Sequence, residues 1–137
     1  MVGWAFLGRG RGPAMDDAAD PAAFRDLAER AARAGGEVAL STFRRDLRVD
    51  TKSNAMDVVT EADLAAQERA VAVLRETDPD GTIVAEEAGV DATIPQSGRA
   101  WVVDPIDGTN NFAVGNRLWA SCVACVVDGE PRAAVTY

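Results

Sequence analysis

Apolar residues recur at helical spacing in the first part of the chain. The repeating positions are Phe24, Leu27, Ala31 and Val38. With charged residues between them, this spacing predicts an amphipathic helix of about six turns. Asp20-Pro21 is a typical start, with Asp as the N-cap and Pro at the first helical position. Gly35-Gly36 lowers helix propensity by about 1 kcal/mol per glycine, so the pair either marks a close helix–helix contact or splits the helix in two.

A second helix is predicted to end near Arg75. Its apolar stripe consists of Leu64, Ala65, Val71 and Leu74. The preceding residues 57–60 resemble a strand end that leads into the helix. Thr60 is placed to be the N-cap, and Asp63 follows at the third position of a capping box, where Glu or Gln is more usual. Asp63 is therefore interpreted as a helix-cap carboxylate, although an acid in a first turn can also face a metal through water.

Four apolar runs further along the chain predict strands. Residues 82–85 end in Glu86-Glu87, and residues 100–103 end abruptly at Asp104-Pro105. Residues 118–127 and 133–137 are joined by Asp128-Gly129, a dipeptide that favours the positive φ angles of a two-residue hairpin turn. The sequence therefore predicts two helices followed by four strands.

Composition restricts the function more than it restricts the fold. The 137 residues suit one domain, and 47% hydrophobic residues are enough for a packed core. A net charge of −8 argues against nucleic acid or an anionic membrane as a partner. The chain contains no histidine, which excludes Ser-His-Asp and Cys-His catalysis and zinc sites that use His. Nothing in the sequence approaches transmembrane length.

The two cysteines lie in a predicted strand. Cys122 and Cys125 are three residues apart, so they are expected to face opposite sides of the strand and cannot share a metal. We interpret them as two buried core thiols, since free Cys is among the most buried residue types. Reduced cysteines fit a cytoplasmic protein.

Carboxylates gather where the predicted strands end. Asp104 and Asp107 lie in a segment that could be a simple turn, because Asp, Pro and Gly all favour turns. Glu86 follows another strand, and Asp63 lies at a predicted helix start. Several acids without a basic partner are tolerated when divalent cations bind among them. Oxygen ligands without Cys or His indicate Mg²⁺ or Mn²⁺ and hence phosphoryl chemistry.

Residues 104–112, Asp-Pro-Ile-Asp-Gly-Thr-Asn-Asn-Phe, resemble the signature of the inositol monophosphatase family. Residues 57–63 and 85–87 resemble its two upstream motifs, in the same order and at similar spacing. The resemblance, which runs from about Asp20 to Tyr137, implies an α+β fold, the N-terminal half of a layered α/β/α/β/α sandwich. Two N-terminal helices would pack on a mostly antiparallel sheet. We expect residues 1–14 to be an unstructured N-terminal extension and residues 15–137 to be the N-terminal part of such a domain, truncated at its C-terminal end.

The resemblance also implies a set of metal ligands. Glu86, Asp104 and the backbone carbonyl of Ile106 would hold a first Mg²⁺, with Mn²⁺ as an alternative. Asp104 would bridge to a second ion that is also bound by Asp107. The family supplies a further aspartate for the second ion from a C-terminal half that this chain lacks.

Catalytic and substrate-binding roles follow from the same resemblance. Glu86 and Thr109 would orient the water that attacks phosphorus, with Asp63 in an outer shell. The backbone amides of Gly108 and Thr109 would receive the phosphate. Lys52 would lie close to the site on a loop, although a solvated lysine is the alternative.

The implied activity is Mg²⁺-dependent hydrolysis of inositol monophosphate or a similar small phosphorylated metabolite. Other substrates of the same class stay open, namely histidinol phosphate, fructose 1,6-bisphosphate and 3′-phosphoadenosine 5′-phosphate. Ala85 and Asn110 are mild departures from the family pattern. The missing half makes a catalytically inactive, metal-binding fragment the alternative from a different class. The expected partner is a small phosphorylated metabolite, without nucleic acid or membrane, and a homodimer is left open by the resemblance.

Overall fold

A computed structural model describes residues 15–16, 20–44, 55–85 and 93–137, with residues 55–60 described by their backbone alone. In chain order the elements are α1 (Pro21–Thr42), α2 (Ala55–Thr77), β1 (Thr82–Ala85), β2 (Arg99–Asp107), α3 (Thr109–Ala113), β3 (Ala120–Val127) and β4 (Glu130–Thr136). Two of the predicted site residues, Lys52 and Glu86, lie outside the described residues. The predicted two helices and four strands are present in the predicted order, with the short helix α3 between the second and the third strand.

Helix α1 begins and continues as its sequence predicts. The side chain of Asp20 accepts a hydrogen bond from the amide of Ala22 at 2.9 Å, and Pro21 is the first helical residue. Gly35 and Gly36 do not split the helix. A Cβ atom at Gly35 would lie 3.0 Å from the carbonyl oxygen of Ala66 in α2. Gly35 therefore allows the close helix–helix contact that was one of the two predicted alternatives, whereas Gly36 faces Tyr137 and Ser121.

Helix α2 begins earlier than predicted. It starts at Ala55, so the strand end expected at residues 57–60 is wrong, and Thr60 lies inside the helix instead of capping it. β-branched valines favour strands only weakly, whereas extending a nucleated helix adds one hydrogen bond per residue. Ala65, placed in the predicted apolar stripe, is exposed. From Glu61 onward, where the side chains of α2 are described, the buried apolar positions are Ala62, Ala66, Ala70, Val73 and Leu74.

The four strands form one sheet in the order β1-β2-β3-β4. β1 is parallel to β2, whereas β2 is antiparallel to β3 and β3 is antiparallel to β4. The β3–β4 turn has φ values of 53° at Asp128 and 78° at Gly129, which confirms the predicted hairpin and its reason. Both long helices pack on one face of this mostly antiparallel sheet, as predicted. Among the described residues, no helix has the length and apolarity needed to cross a bilayer.

The core lies between the two helices and the sheet. Phe24 of α1 meets Trp101 of β2 edge to face, with ring centroids 6.3 Å apart. Cys125 is fully buried in this core, whereas Cys122 is half-buried on the other face of the sheet, with its Sγ 3.7 Å from Thr136 Oγ1. The prediction of opposite faces is confirmed, but the prediction of two buried thiols is wrong for Cys122.

A buried ion pair joins the end of α2 to the start of β2. Arg99 donates from Nε and Nη2 to the two carboxylate oxygens of Asp78 at 2.6 and 2.7 Å, and Trp101 Nε1 donates to the same carboxylate at 2.7 Å. Burial raises the pKa of Asp78, but the hydrogen bonds from Arg99 and Trp101 outweigh it and hold that pKa below its ordinary value. The sequence predicted only a turn at Asp78, because composition does not show which turn residue is buried.

Candidate metal and phosphate site

Strand β2 continues through the signature segment. We predicted that it ends at Asp104, but it runs to Asp107. The pairing with β3 shifts between these two residues, since Asp104 pairs with Cys122 and Asp107 pairs with Ala120. Three steps along β2 therefore oppose two steps along β3, which is the pattern of a β-bulge. Pro105 lies within the bulge, where a residue without an amide hydrogen is tolerated.

The bulge places Asp104 and Asp107 on the same face of the sheet. In a regular strand, residues three apart face opposite sides. Cys122 and Ala120, however, are two apart on β3 and share a face, and a paired residue points to the same side as its partner. This is the face away from α1 and α2, where Asp104 is half-buried and Asp107 is exposed. Asp104 lines a shallow cavity of about 130 Å³ there.

Ile106 and Thr109 contribute oxygens next to the carboxylates. The Ile106 side chain is buried on the helix side, in a cluster with Ala62 and Ala66 of α2. Its carbonyl oxygen accepts a hydrogen bond from Thr109 Oγ1 at 3.0 Å. A carbonyl oxygen has two lone pairs, so the bond from Thr109 by itself does not use the full acceptor capacity of the Ile106 carbonyl.

Gly108 joins β2 to α3 in a left-handed conformation, with φ of 89° and ψ of 38°. A Cβ atom there would lie 2.9 Å from the carbonyl oxygen of Leu118 and 3.3 Å from Trp119 Cα. Both a positive φ and a close backbone approach thus require glycine at this position. The turn that carries the predicted phosphate-binding amides is therefore packed directly against residues 118–119.

Asn111 holds the same two segments together. Its Nδ2 donates to the Leu118 carbonyl oxygen at 2.8 Å, and its Oδ1 accepts from Asn116 Nδ2 at 3.2 Å. The amide of Asn116 donates to the backbone carbonyl of Asn111 at 2.8 Å. This bond of Asn111 is not predictable from the sequence, since nothing there shows that its side-chain amide reaches a carbonyl seven residues away.

Asp63 lies within α2 instead of at its first turn, so its interpretation as a helix cap is wrong. It is 5% exposed. Its neighbours Ala62 and Ala66 pack against Ile106 and Phe112. Asp63 is thus buried on the part of α2 that contacts the end of β2, which is the region that an outer-shell role requires.

The described residues contribute only part of the predicted ligand set. Within residues 15–16, 20–44, 55–85 and 93–137, no three side chains of Asp, Glu, Cys or His form a group that could hold a metal ion. Ala85, the last residue of β1, pairs with Val103, one residue before Asp104. β1 therefore ends beside the candidate ligands, and the next residue in sequence is Glu86, outside the described part.

A model of the inositol monophosphatase family matches residues 20–137. The chain is 42% identical over 90 residues to the histidinol-phosphatase of Mycobacterium tuberculosis, covering 66% of this chain and 34% of that protein. It is 38% identical over 112 residues to the Nus factor SuhB of Pseudomonas aeruginosa, covering 80% of this chain and 41% of that protein.

The fold is similar to that of a solved inositol monophosphatase. The crystal structure of inositol monophosphatase II from Staphylococcus aureus matches with a TM-score of 0.69 at 29% identity, over 82% of this chain and 41% of that one. The chain thus spans well under half the length of these relatives. The signature segment on β2, the match of the family model and the shared fold establish that the chain belongs to the inositol monophosphatase family.

Proposed function

We propose that this chain supplies the metal-binding and phosphate-binding part of a phosphomonoesterase that hydrolyses inositol monophosphate or a similar small phosphorylated metabolite. The observation that carries the proposal is the bulge in β2, which brings Asp104 and Asp107 to one face of the sheet. Two carboxylates so placed, beside a carbonyl and a hydroxyl, are suited to a divalent cation.

The donor set fits magnesium. Carboxylate, carbonyl and hydroxyl oxygens are the ligands of Mg²⁺ and Mn²⁺, whereas zinc sites use Cys or His. The nearest thiol in the sheet register is Cys122, which pairs with Asp104. Its Sγ contacts Thr136 Oγ1 at 3.7 Å, so we do not count it among the donors. When bound, the ion neutralises charge on the phosphate and lowers the pKa of a coordinated water.

In this proposal, the carboxylates of Asp104 and Asp107 would hold the cations, together with the backbone carbonyl of Ile106. Glu86 would be a further ligand. Its assignment is supported by its position directly after Ala85, which is paired beside the signature segment.

The substrate phosphate is received by the backbone amides of Gly108 and Thr109, which follow directly on Asp107. Thr109 Oγ1, now bonded to the Ile106 carbonyl, orients the attacking water together with Glu86. Asp63 acts from an outer shell, buried where α2 meets β2. Lys52 adds positive charge near the phosphate.

Two observations support alternatives to this function, and the test has to include both. The chain covers 34–41% of the length of the relatives described above, so the test includes a metal-binding fragment without turnover as the alternative from a different class. The identity of 42% to a histidinol-phosphatase favours histidinol phosphate as the alternative substrate. Fructose 1,6-bisphosphate and 3′-phosphoadenosine 5′-phosphate complete the panel.

The test measures two quantities on the same protein: the melting temperature with and without Mg²⁺, and phosphate release from each substrate in the panel. Saturation with an ion at a hundred times its Kd stabilises a fold by about 2.7 kcal/mol, so a rise in melting temperature is expected. Asp107→Asn should remove most of this rise and all Mg²⁺-dependent release. The matched control is Asp80→Asn, an exposed aspartate in the turn before β1, at the opposite end of the sheet.

The outcomes separate the alternatives. A rise in melting temperature without phosphate release supports the fragment, and release from one substrate identifies the enzyme. If Mg²⁺ and Mn²⁺ leave the melting temperature unchanged, or if Asp107→Asn responds as strongly as the wild type, the metal-site assignment is wrong.

A further inference from the structure

A groove lies between the end of α1 and the segment that precedes β3. Its volume is about 390 Å³, within the roughly 300–1,000 Å³ of typical binding cavities. Its described lining consists of Leu40, Phe43, Arg44, Arg117 and Trp119, and we call it the Arg44–Arg117 groove. None of these residues belongs to the proposed metal and phosphate site.

The floor of the groove is rigid and aromatic. The Phe43 ring centroid lies 5.5 Å from that of Trp119 and 5.2 Å from that of Phe112, and the Phe112 and Trp119 centroids are 5.0 Å apart. Three rings in mutual contact form a preorganised apolar surface. Because the three rings are already in place, a ligand side chain that packs on them does not have to pay for fixing their conformation.

Arg44 is held in place on the edge of the groove. Its Nε and Nη2 donate to the carbonyl oxygen of Gly115 at 3.0 and 2.7 Å, and its guanidinium carbon lies 5.2 Å from the Phe43 ring centroid. Its φ of 63° is a left-handed conformation that is uncommon for a residue with a side chain. Among the residues that the structure describes, neither Arg44 Nη1 nor Arg117 has a hydrogen-bond or ion-pair partner.

Exposed apolar side chains surround the groove. Of the five large apolar side chains that are exposed in the described part of the chain, Leu40 at 57% lines the groove. Leu118 at 73% lies between the lining residues Arg117 and Trp119 in the sequence, and Val114 at 76% directly precedes Gly115, to which Arg44 donates. Single exposed apolar residues are normal, but a cluster of them indicates an interaction site. Arginine and aromatic residues are also enriched at the centres of protein interfaces.

We propose that the Arg44–Arg117 groove binds a short acidic segment of a partner protein, whose bulky apolar side chain packs on Phe43 and Trp119. Carboxylates beside that side chain pair with the two guanidinium groups. Charge complementarity carries this choice of partner: the chain has a net charge of −8, whereas the described lining holds two arginines and no acid. The overall charge repels a second copy, so a copy of the chain is the less favourable occupant.

The probe is a fluorescein-labelled peptide with a leucine–phenylalanine pair flanked by glutamates, and fluorescence anisotropy measures its binding to the full chain. Arg117→Glu should weaken binding about tenfold or more, since it replaces attraction by repulsion. Arg132→Glu makes the same charge change on β4 and should alter the affinity less than about twofold. Leu40→Ser should also weaken binding, whereas Ile94→Ser, at another exposed apolar residue, should not.

Circular dichroism and melting curves confirm that each variant is folded before its affinity is compared. A matching peptide with lysine in place of glutamate should not bind. The proposal is overturned if the lysine peptide binds equally, if Arg117→Glu and Arg132→Glu weaken binding equally, or if no binding is detected. It is also overturned if inorganic phosphate displaces the peptide, or if light scattering shows that the chain self-associates through Arg117 and Leu40.

Discussion

Gly108 is the residue at which backbone conformation and packing can be separated by experiment. It lies between the carboxylates of β2 and the amide of Thr109, and Gly108→Ala changes two things at once. The new side chain has to adopt a φ of 89°. Its Cβ also has to fit 2.9 Å from the Leu118 carbonyl oxygen.

The two effects have different magnitudes. A left-handed conformation costs a residue with a Cβ about 1–2 kcal/mol, which a less flexible unfolded chain offsets by about 0.4–1 kcal/mol. The crowding is with backbone atoms of Leu118 and Trp119, which cannot rotate away as a side chain can. Overpacking of this kind costs about 1–3 kcal/mol. We expect Gly108→Ala to lower the free energy of unfolding by about 2–4 kcal/mol.

Gly98→Ala is the matched control. Gly98 has a φ of 76°, and a Cβ there would meet nothing within 4 Å, so this variant has the conformational cost without the crowding. Urea denaturation monitored by circular dichroism gives the free energy of unfolding of both variants. Gly108→Ala should be less stable than Gly98→Ala by about 1–3 kcal/mol, and it should reduce any Mg²⁺-dependent phosphate release more.

Equal stability of the two alanine variants would show that residues 118–119 do not press against Gly108 in solution. A larger loss for Gly98→Ala would contradict the reasoning for both positions.

Three further outcomes can be measured with the same denaturation assay. Asp78→Ala should lower the free energy of unfolding by about 3–5 kcal/mol, since it leaves the buried Arg99 guanidinium without its carboxylate, whereas Asp26→Ala, in an exposed ion pair, should change it little. Because folding lowers the pKa of Asp78, the ionised carboxylate stabilises the fold at pH values above the unfolded pKa of about 3.9, and this stabilisation is lost as the pH falls through the folded pKa. The wild type should therefore lose this part of its stability below about pH 4, whereas Asp78→Ala should not. Gly36→Ala would place a Cβ 2.7 Å from Tyr137 Cδ1; overpacking costs about 1–3 kcal/mol and the gain in helix propensity offsets about 1 kcal/mol, so the net loss should be about 0–2 kcal/mol, and an increase in stability would contradict the close approach of α1 to Tyr137.

Local signals were sufficient for several elements. Asp20-Pro21 satisfies the first amide groups of α1 and starts it where predicted, and Asp128-Gly129 supplies the positive φ angles of the hairpin. These features depend on residues within one turn of each other. The start of α2 was not predictable in the same way, because the preference of residues 57–60 for a strand is weaker than the gain from extending the helix.

The candidate site likewise has features that the sequence predicts and features that only the tertiary structure shows. Its donor chemistry follows from residue types alone, since a chain without histidine that places Asp104 and Asp107 beside a glycine turn has oxygen ligands to offer. The hydrogen bond from Asn111 to the Leu118 carbonyl could not be predicted, because it depends on the path of the chain between α3 and β3. Arg99 and Trp101 likewise find Asp78 only through the pairing of distant segments.

Sequence spacing alone does not decide which face of a sheet a side chain occupies. The chain contains two pairs of residues with the same spacing of three and different outcomes. Cys122 and Cys125 lie in a regular stretch of β3 and face opposite sides, as alternation requires. Asp104 and Asp107 have the same spacing but share a face, because β2 contains an extra residue relative to its partner. A bulge exists only between two paired strands. The residue types thus define the oxygen atoms that the chain can offer, and the pairing of β2 with β3 decides that two of the carboxylates lie on one face of the sheet.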